Sequence, residues 1–181
     1  LSYWEAGTTS SFIGRWNSIN IGVQYNNVSG LSESQWSISS YMNHGYSQWN
    51  SALSVYLYTT TSASSISYYF GDHYQVYVLG ISGLVVDYNN SGYTTPYAYN
   101  EGIWSYGSSS KTGKAIYSAV GAVYYIAGKT SSQYKNTTTH ELGHALGWYG
   151  HTTSSTSIMY NSSSSITLLS TIDKRHLQQV Y

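Results

Sequence analysis

Not one of the 181 residues is cysteine, which removes disulfide staples and thiolate metal sites together. A chain without staples has to be held by packing, and this length is enough for one domain to bury a core. The material for it is present: 41% of the residues are hydrophobic and 17% aromatic, too much apolar surface for a disordered chain. Charge is scarce. Seven basic and seven acidic residues make up 8% of the chain, against about 25% in an ordinary soluble domain. The lysines and arginines are scattered, so no patch could neutralise a run of phosphates, and nucleic acid is excluded as a partner. Few carboxylates also predict tolerance of acid, because little native carboxylate pairing can be lost.

The longest apolar run, at 115–127, is interrupted by Tyr, Ser and Gly and falls short of the roughly 18 apolar residues of a membrane helix. Serine, threonine and tyrosine carry the polarity instead. With that composition, and with Leu1 rather than methionine at the start, the sequence predicts a secreted protein. One proline, no charge block and no repeat predict a single domain over 1–181.

Ile19, Ile21, Val23 and Tyr25 alternate as in a half-buried strand. From Ser32 to Leu53, Ile38, Tyr41, Met42, Gly45, Trp49 and Leu53 recur at helical steps, which predicts one long amphipathic helix. The segments 55–59, 66–70, 76–81 and 116–126 are rich in Val, Ile and Tyr and read as strands. Residues 87–114 have weak periodicity and read as a long surface loop with one short strand. Ser170, with Asp173 three residues on, opens a last helix whose Ile172, His176, Leu177 and Val180 share a side. The fold class is α+β.

The chemistry concentrates at 138–160. His140-Glu141-Leu142-Gly143-His144 is an HExxH sequence. Side chains four apart on a helix lie one above the other, so both imidazoles can reach one metal while Glu141 projects toward a metal-bound water. Zinc would lower the pKa of that water, and Glu141 would take its proton and pass it to a leaving amine. Gly147 sits where a helix ends in a left-handed residue and turns the chain back, which makes His151 the candidate third ligand. His44, His73 and His176 read as structural or surface residues. The competing reading of the HExxH is a surface helix whose two histidines are solvated or satisfied by the core.

This stretch resembles the metzincin zinc endopeptidases, whose signature is HExxHxxGxxH followed by a Met-turn. Three residues, Trp148, Tyr149 and Gly150, stand between Gly147 and His151 where the signature has two, giving HExxHxxGxxxH. Ile158-Met159-Tyr160 is similar to the Leu-Met-Tyr of the matrixin branch, and 172–181 resembles its closing helix. The resemblance implies a metzincin-like zincin fold: a twisted, mostly parallel sheet with a long backing helix, a catalytic helix and a C-terminal helix. An upper part, roughly 1–147, would carry the active-site helix, and a lower part, 148–181, the third ligand, the Met-turn and the last helix. It implies an endopeptidase with zinc on His140, His144 and His151, Glu141 as catalytic base, and Met159 as the apolar floor beneath the metal. Gly71-Asp72-His73 resembles the start of the matrixin structural zinc site, yet Gln75 stands in place of an Asp and no further His lies between His73 and His140, so one zinc is expected. Calcium finds no clustered carboxylates, since Asp72, Asp87 and Glu101 are isolated.

A substrate peptide is expected to add to an edge strand between Asn100 and Ser118, with a pocket wall drawn from 151–161 that includes Ile158 and Tyr160. The partner is therefore a protein or peptide, and the chain is expected to act as a monomer. Asn136, in one of four Asn-x-Ser/Thr sequences, reads as a helix cap. Two alternatives stay open: an aromatic-rich module that binds glycans or a cell wall, and a zinc-bearing but inactive metzincin relative.

Overall fold

The computed structural model describes residues 9–181. The strands are β1 (Phe12–Trp16), β2 (Asn20–Asn27), β3 (Tyr56–Thr59), β4 (Ile66–Gly71), β5 (Gly92–Tyr106) and β6 (Ser109–Tyr124). The helices are α1 (Ile38–Ala52), α2 (His73–Tyr77), α3 (Ser131–Ala145) and α4 (Thr171–Gln178). β3, β2, β4 and β6 pair in that order, all parallel. β1 joins β6 in parallel over Thr112–Ile116, ahead of the part of β6 that pairs β4. β5 runs antiparallel to nearly the whole of β6 and among the described residues pairs no other strand, so it forms an edge of the described sheet.

The mostly parallel sheet with helices against it is the architecture implied by the resemblance. Its strands are covered on both faces where they pair centrally, so Gly22 of β2 is buried along with Ile21 and Val23, and strict alternation gives way to a continuous buried run. Ile19, read as part of that strand, lies just before it and is exposed. α1 begins at Ile38, six residues later than the periodicity suggests, because 33–36 forms a turn, with Gln35 and Trp36 amides bonded to the Ser32 carbonyl.

Two expectations are corrected. Residues 76–81 are not a strand: Asp72 accepts from the Gln75 amide while the Gln75 side chain accepts from the Asp72 amide, a capping box that opens α2. Nor is 87–114 a loop with a short strand, because β5 and the first half of β6 form a long hairpin within it. Most of β5 is half-buried or exposed without alternation, so its hydrogen bonds come from β6 while its side chains leave no period to read. Tyr117 is skipped in the pairing, since Tyr97 faces Ser118 and Ala98 faces Ile116, and this bulge bends the hairpin.

The core lies between the sheet and α1, α3 and α4. α1 and α3 touch closely: Trp49 Nε1 donates to the Thr139 carbonyl at 2.9 Å, and a Cβ on Gly45 would fall 2.5 Å from Leu142 Cδ1. Trp36 meets Phe70, Tyr125 and Tyr134 edge-on at 5.3–5.5 Å. Tyr181 ties the stretch after α4 to the core: its Oη donates to the Leu146 carbonyl at 2.6 Å and accepts from the Trp16 amide at 3.1 Å. Among the described residues no helix is long and apolar enough to cross a membrane.

Acid sensitivity enters this carboxylate-poor chain through histidine. His176 on α4 is fully buried, its ring 4.1 Å from that of Trp148. Burial, with a smaller push from the Lys111 charge, lowers its pKa to about 3. The unfolded chain binds that proton near pH 6.5 and the folded chain does not, so stability falls as pH drops from about 6.5 toward 3, by up to about 1.4 kcal/mol per unit. Urea unfolding at pH 7 and pH 4.5 checks this: His176→Phe is expected to lose less stability than wild type between the two, and an unchanged difference would refute it.

Candidate metal centre and its cleft

α3 is an unpromising helix by composition, with Thr137, Thr138 and Thr139 in sequence at its middle. Thr130 caps it in a second capping box with Gln133, and burial on nearly every side supplies the rest. Asn136 is correspondingly not a cap. It lies inside α3, where its amide donates to Ser164 Oγ and the Ile166 carbonyl and so ties down the segment after Met159.

The end of α3 and the chain beyond it bring three histidines together. His140 and His144 share a face, and Gly147, at φ +108°, breaks the helix. Gly150, at φ +72°, absorbs the extra residue of the motif and turns His151 back toward them. His151 is pinned there: its amide donates to Thr9 Oγ1 at 2.9 Å and its carbonyl accepts from the Thr9 amide at 2.8 Å. One ligand atom from each of His140, His144 and His151 lies within 4.8 Å of the others.

Proton positions in this group follow from its partners. His140 Nδ1 is 2.6 Å from the Ile158 carbonyl and His144 Nδ1 is 2.7 Å from the Trp148 carbonyl. Carbonyls only accept, so both Nδ1 atoms carry the proton and both Nε2 atoms are bare. Those Nε2 atoms face each other at 3.0 Å. Burial lowers the His140 pKa to about 4 and that of His144 well below its usual value, each also pressed down by a neighbouring imidazole, so the rings are neutral near pH 7. Neutral imidazoles with their outer N–H groups fixed on backbone carbonyls are the form in which histidine binds a metal. A tetrahedral zinc ion at about 2.0–2.1 Å from its nitrogens would separate them by about 3.4 Å, and the donor set fits it.

Glu141 lies next to the group and is buried. Burial raises its pKa to about 8, against the Thr94 hydroxyl and the Lys129 charge, which both favour the ionised form. Thr94 Oγ1 donates to Glu141 Oε2 at 2.6 Å. A cleft of about 520 Å³ opens between α3, the start of β5 and residues 160–163. Tyr160 borders it. The Ile158 side chain is in the core, 1% exposed, and reaches the site through its carbonyl. The edge strand bordering the cleft is Gly92–Pro96, upstream of the 100–118 range expected for it.

Met159 is fully buried, and a Cβ on Gly143, between the two α3 histidines, would fall 2.5 Å from its sulfur. The turn carrying it is held by Asp173, whose carboxylate accepts from Ser157 Oγ and from the Ile158 and Met159 amides at 3.1 and 3.2 Å. Asp173 also caps α4, the one role its spacing from Ser170 discloses. Thr94 carries no sequence signal, lying 47 residues before Glu141 on a strand without a period. The other three histidines have structural partners: His44 Nε2 meets the Thr167 carbonyl, His176 packs on Trp148, and His73 stacks between Tyr88 and Tyr124 with its Nε2 on the Asn90 carbonyl.

Among curated proteins none matches the chain. The sequence model of the matrixin family does, over residues 15–181, which takes in every described strand but the first three residues of β1, all the described helices and the histidine group. The chain belongs to the matrixin family of zinc metallopeptidases.

Proposed function

We propose that this chain is a secreted, monomeric zinc endopeptidase, one catalytic domain over 1–181 with the cleft between an upper part, 1–147, and a lower part, 148–181. His140, His144 and His151 hold one zinc ion in this reading, and Glu141 is the general base. The observation that carries it is the pair of bare Nε2 atoms 3.0 Å apart. Two lone pairs aimed at each other repel, and a cation between them turns that repulsion into ligation. A module that binds glycans by aromatic stacking has no use for such a pair, nor for a buried carboxylate beside it.

When bound, zinc supplies Lewis acidity, favouring ionisation of water and polarising a carbonyl. Glu141 then accepts a proton from the attacking water and returns it to the leaving amine, without a covalent enzyme intermediate. Met159 supports the two histidines from below through Gly143. An extended peptide lies along the free edge of β5, paired by main-chain hydrogen bonds, with one side chain entering the cleft past Tyr160. Ile158 contributes through its carbonyl on His140.

Zinc content and casein cleavage on one purified sample, with and without chelator, test the class: one equivalent of zinc with chelator-sensitive cleavage is expected. Zinc without cleavage would favour the inactive relative, and no zinc would return the binding module. Glu141→Ala is expected to cut cleavage by at least about a hundredfold with the zinc content unchanged. Retained proteolysis in that variant would overturn the base assignment. His151→Ala is expected to lose zinc on dialysis against a weak chelator and to melt at lower temperature than the zinc-loaded wild type, since binding to the folded state alone stabilises it. An unchanged zinc content would place the third ligand elsewhere.

A further inference from the structure

The start of β5 is built around the Glu141 carboxylate. Tyr68 of β4, Gly121 of β6 and Thr94 of β5 stand in register across three strands. Gly121 has no side chain, and a Cβ there would fall 2.3 Å from Tyr68 Cε1 and 2.8 Å from Thr94 Oγ1. Through that gap Tyr68, buried in the sheet, reaches over its neighbour, and its Oη comes to 3.1 Å from Thr94 Oγ1. Thr94 Oγ1 is in turn 2.6 Å from Glu141 Oε2.

The direction of this chain of bonds follows from the state in which Glu141 acts. A base has to be ionised, and an ionised carboxylate only accepts, so in that state the Thr94 proton goes to Oε2, and Thr94 Oγ1 can then only accept from the Tyr68 hydroxyl. Oε1 is treated differently: beside it stands Gly92, where a Cβ would fall 2.7 Å from Oε1 and 2.8 Å from Glu141 Cγ. One oxygen is thus occupied by a hydroxyl anchored in the sheet, and the other faces a strand residue stripped of its side chain.

We infer that Thr94, oriented by Tyr68, is a positioning residue for the general base: it occupies Oε2 and leaves Oε1 as the oxygen that takes the proton. In that step an O–H bond of the attacking water breaks, an Oε1–H bond forms, the electron pair left on the water oxygen makes the new bond to the scissile carbonyl carbon, and the π pair of that carbonyl moves onto its oxygen. The inference rests on Glu141 being the base, as proposed above.

The test uses the zinc-loaded protein and a fluorogenic peptide whose sequence is that of a site it cleaves in casein, with kcat, KM, zinc content and melting temperature read for each variant. Thr94→Val keeps the shape and removes the donor; kcat is expected to fall about tenfold or more, with KM within about twofold and zinc unchanged. Thr94→Ser should restore kcat to within about threefold of wild type, because the hydroxyl returns. Tyr68→Phe should lower kcat by a smaller factor, and the double variant should be no slower than Thr94→Val alone, since both changes break one chain. Full kcat in Thr94→Val, a loss confined to KM, no rescue by serine, or additive losses in the double variant would each overturn the positioning role. Should Thr94→Val fail to fold, Thr94→Ser and Tyr68→Phe decide: near-wild-type kcat in the first with a reduced kcat in the second supports the role, and unchanged kcat in the second refutes it. Glu141→Gln separates the two readings. If it cleaves like wild type, the base assignment itself fails; if it is inactive while Thr94→Val is fully active, only the positioning role fails.

Discussion

Everything at the site depends on burying a polar helix. α3 places three threonines, two histidines and a glutamate where most helices place leucines, and each polar group taken from water must find a partner or destabilise the fold. For the histidines, the glutamate and two of the threonines the structure supplies such partners, while Thr138 Oγ1 is buried without one among the described residues. The Ile158 and Trp148 carbonyls take the two imidazole N–H groups, β5 offers a hydroxyl to Glu141, and Trp49 and Trp16 donate to carbonyls of α3 at Thr139 and Ala145. The backbone beyond the helix is therefore routed by the needs of the helix. The segment 148–159 lies where it does partly because two histidines require acceptors.

This dependence runs through further layers. The Ile158 carbonyl is placed by a turn, the turn is held by Asp173, and Asp173 is held by the cap of α4. α4 in turn carries His176 against Trp148, whose carbonyl serves His144. The result is a closed circuit in which the last helix is part of the support of the histidine group. On the opposite side, Thr9 holds His151, so segments near both ends of the chain converge on one centre.

What was legible in the sequence was local. HExxH announces its own helix because the chemistry needs a four-residue spacing, and Ser170 with Asp173 announces α4 because capping acts over three residues. Gly147 announces its own turn. What was not legible depended on partners distant in the chain. The β5–β6 hairpin has hydrogen bonds without a side-chain period, so 87–114 reads as a loop although it is paired along most of its length. α2 was hidden by Val and Tyr residues that look like a strand until the Asp72–Gln75 cap is noticed. Asn136 looked like a cap because Asn often is one, whereas its true partners lie about 30 residues on. Thr94 could not be found at all, since a hydroxyl in a hydroxyl-rich chain stands out only when its neighbour is known.

The loop between Gly147 and His151 has a consequence for how such chains are recognised. Positive-φ glycines stand at both 147 and 150, and the His151 imidazole arrives beside those of His140 and His144. The third imidazole thus reaches the other two with three residues, not two, between it and Gly147. A search pattern with a fixed two positions between the glycine and the last histidine would pass over this chain, although its three histidines meet within 4.8 Å.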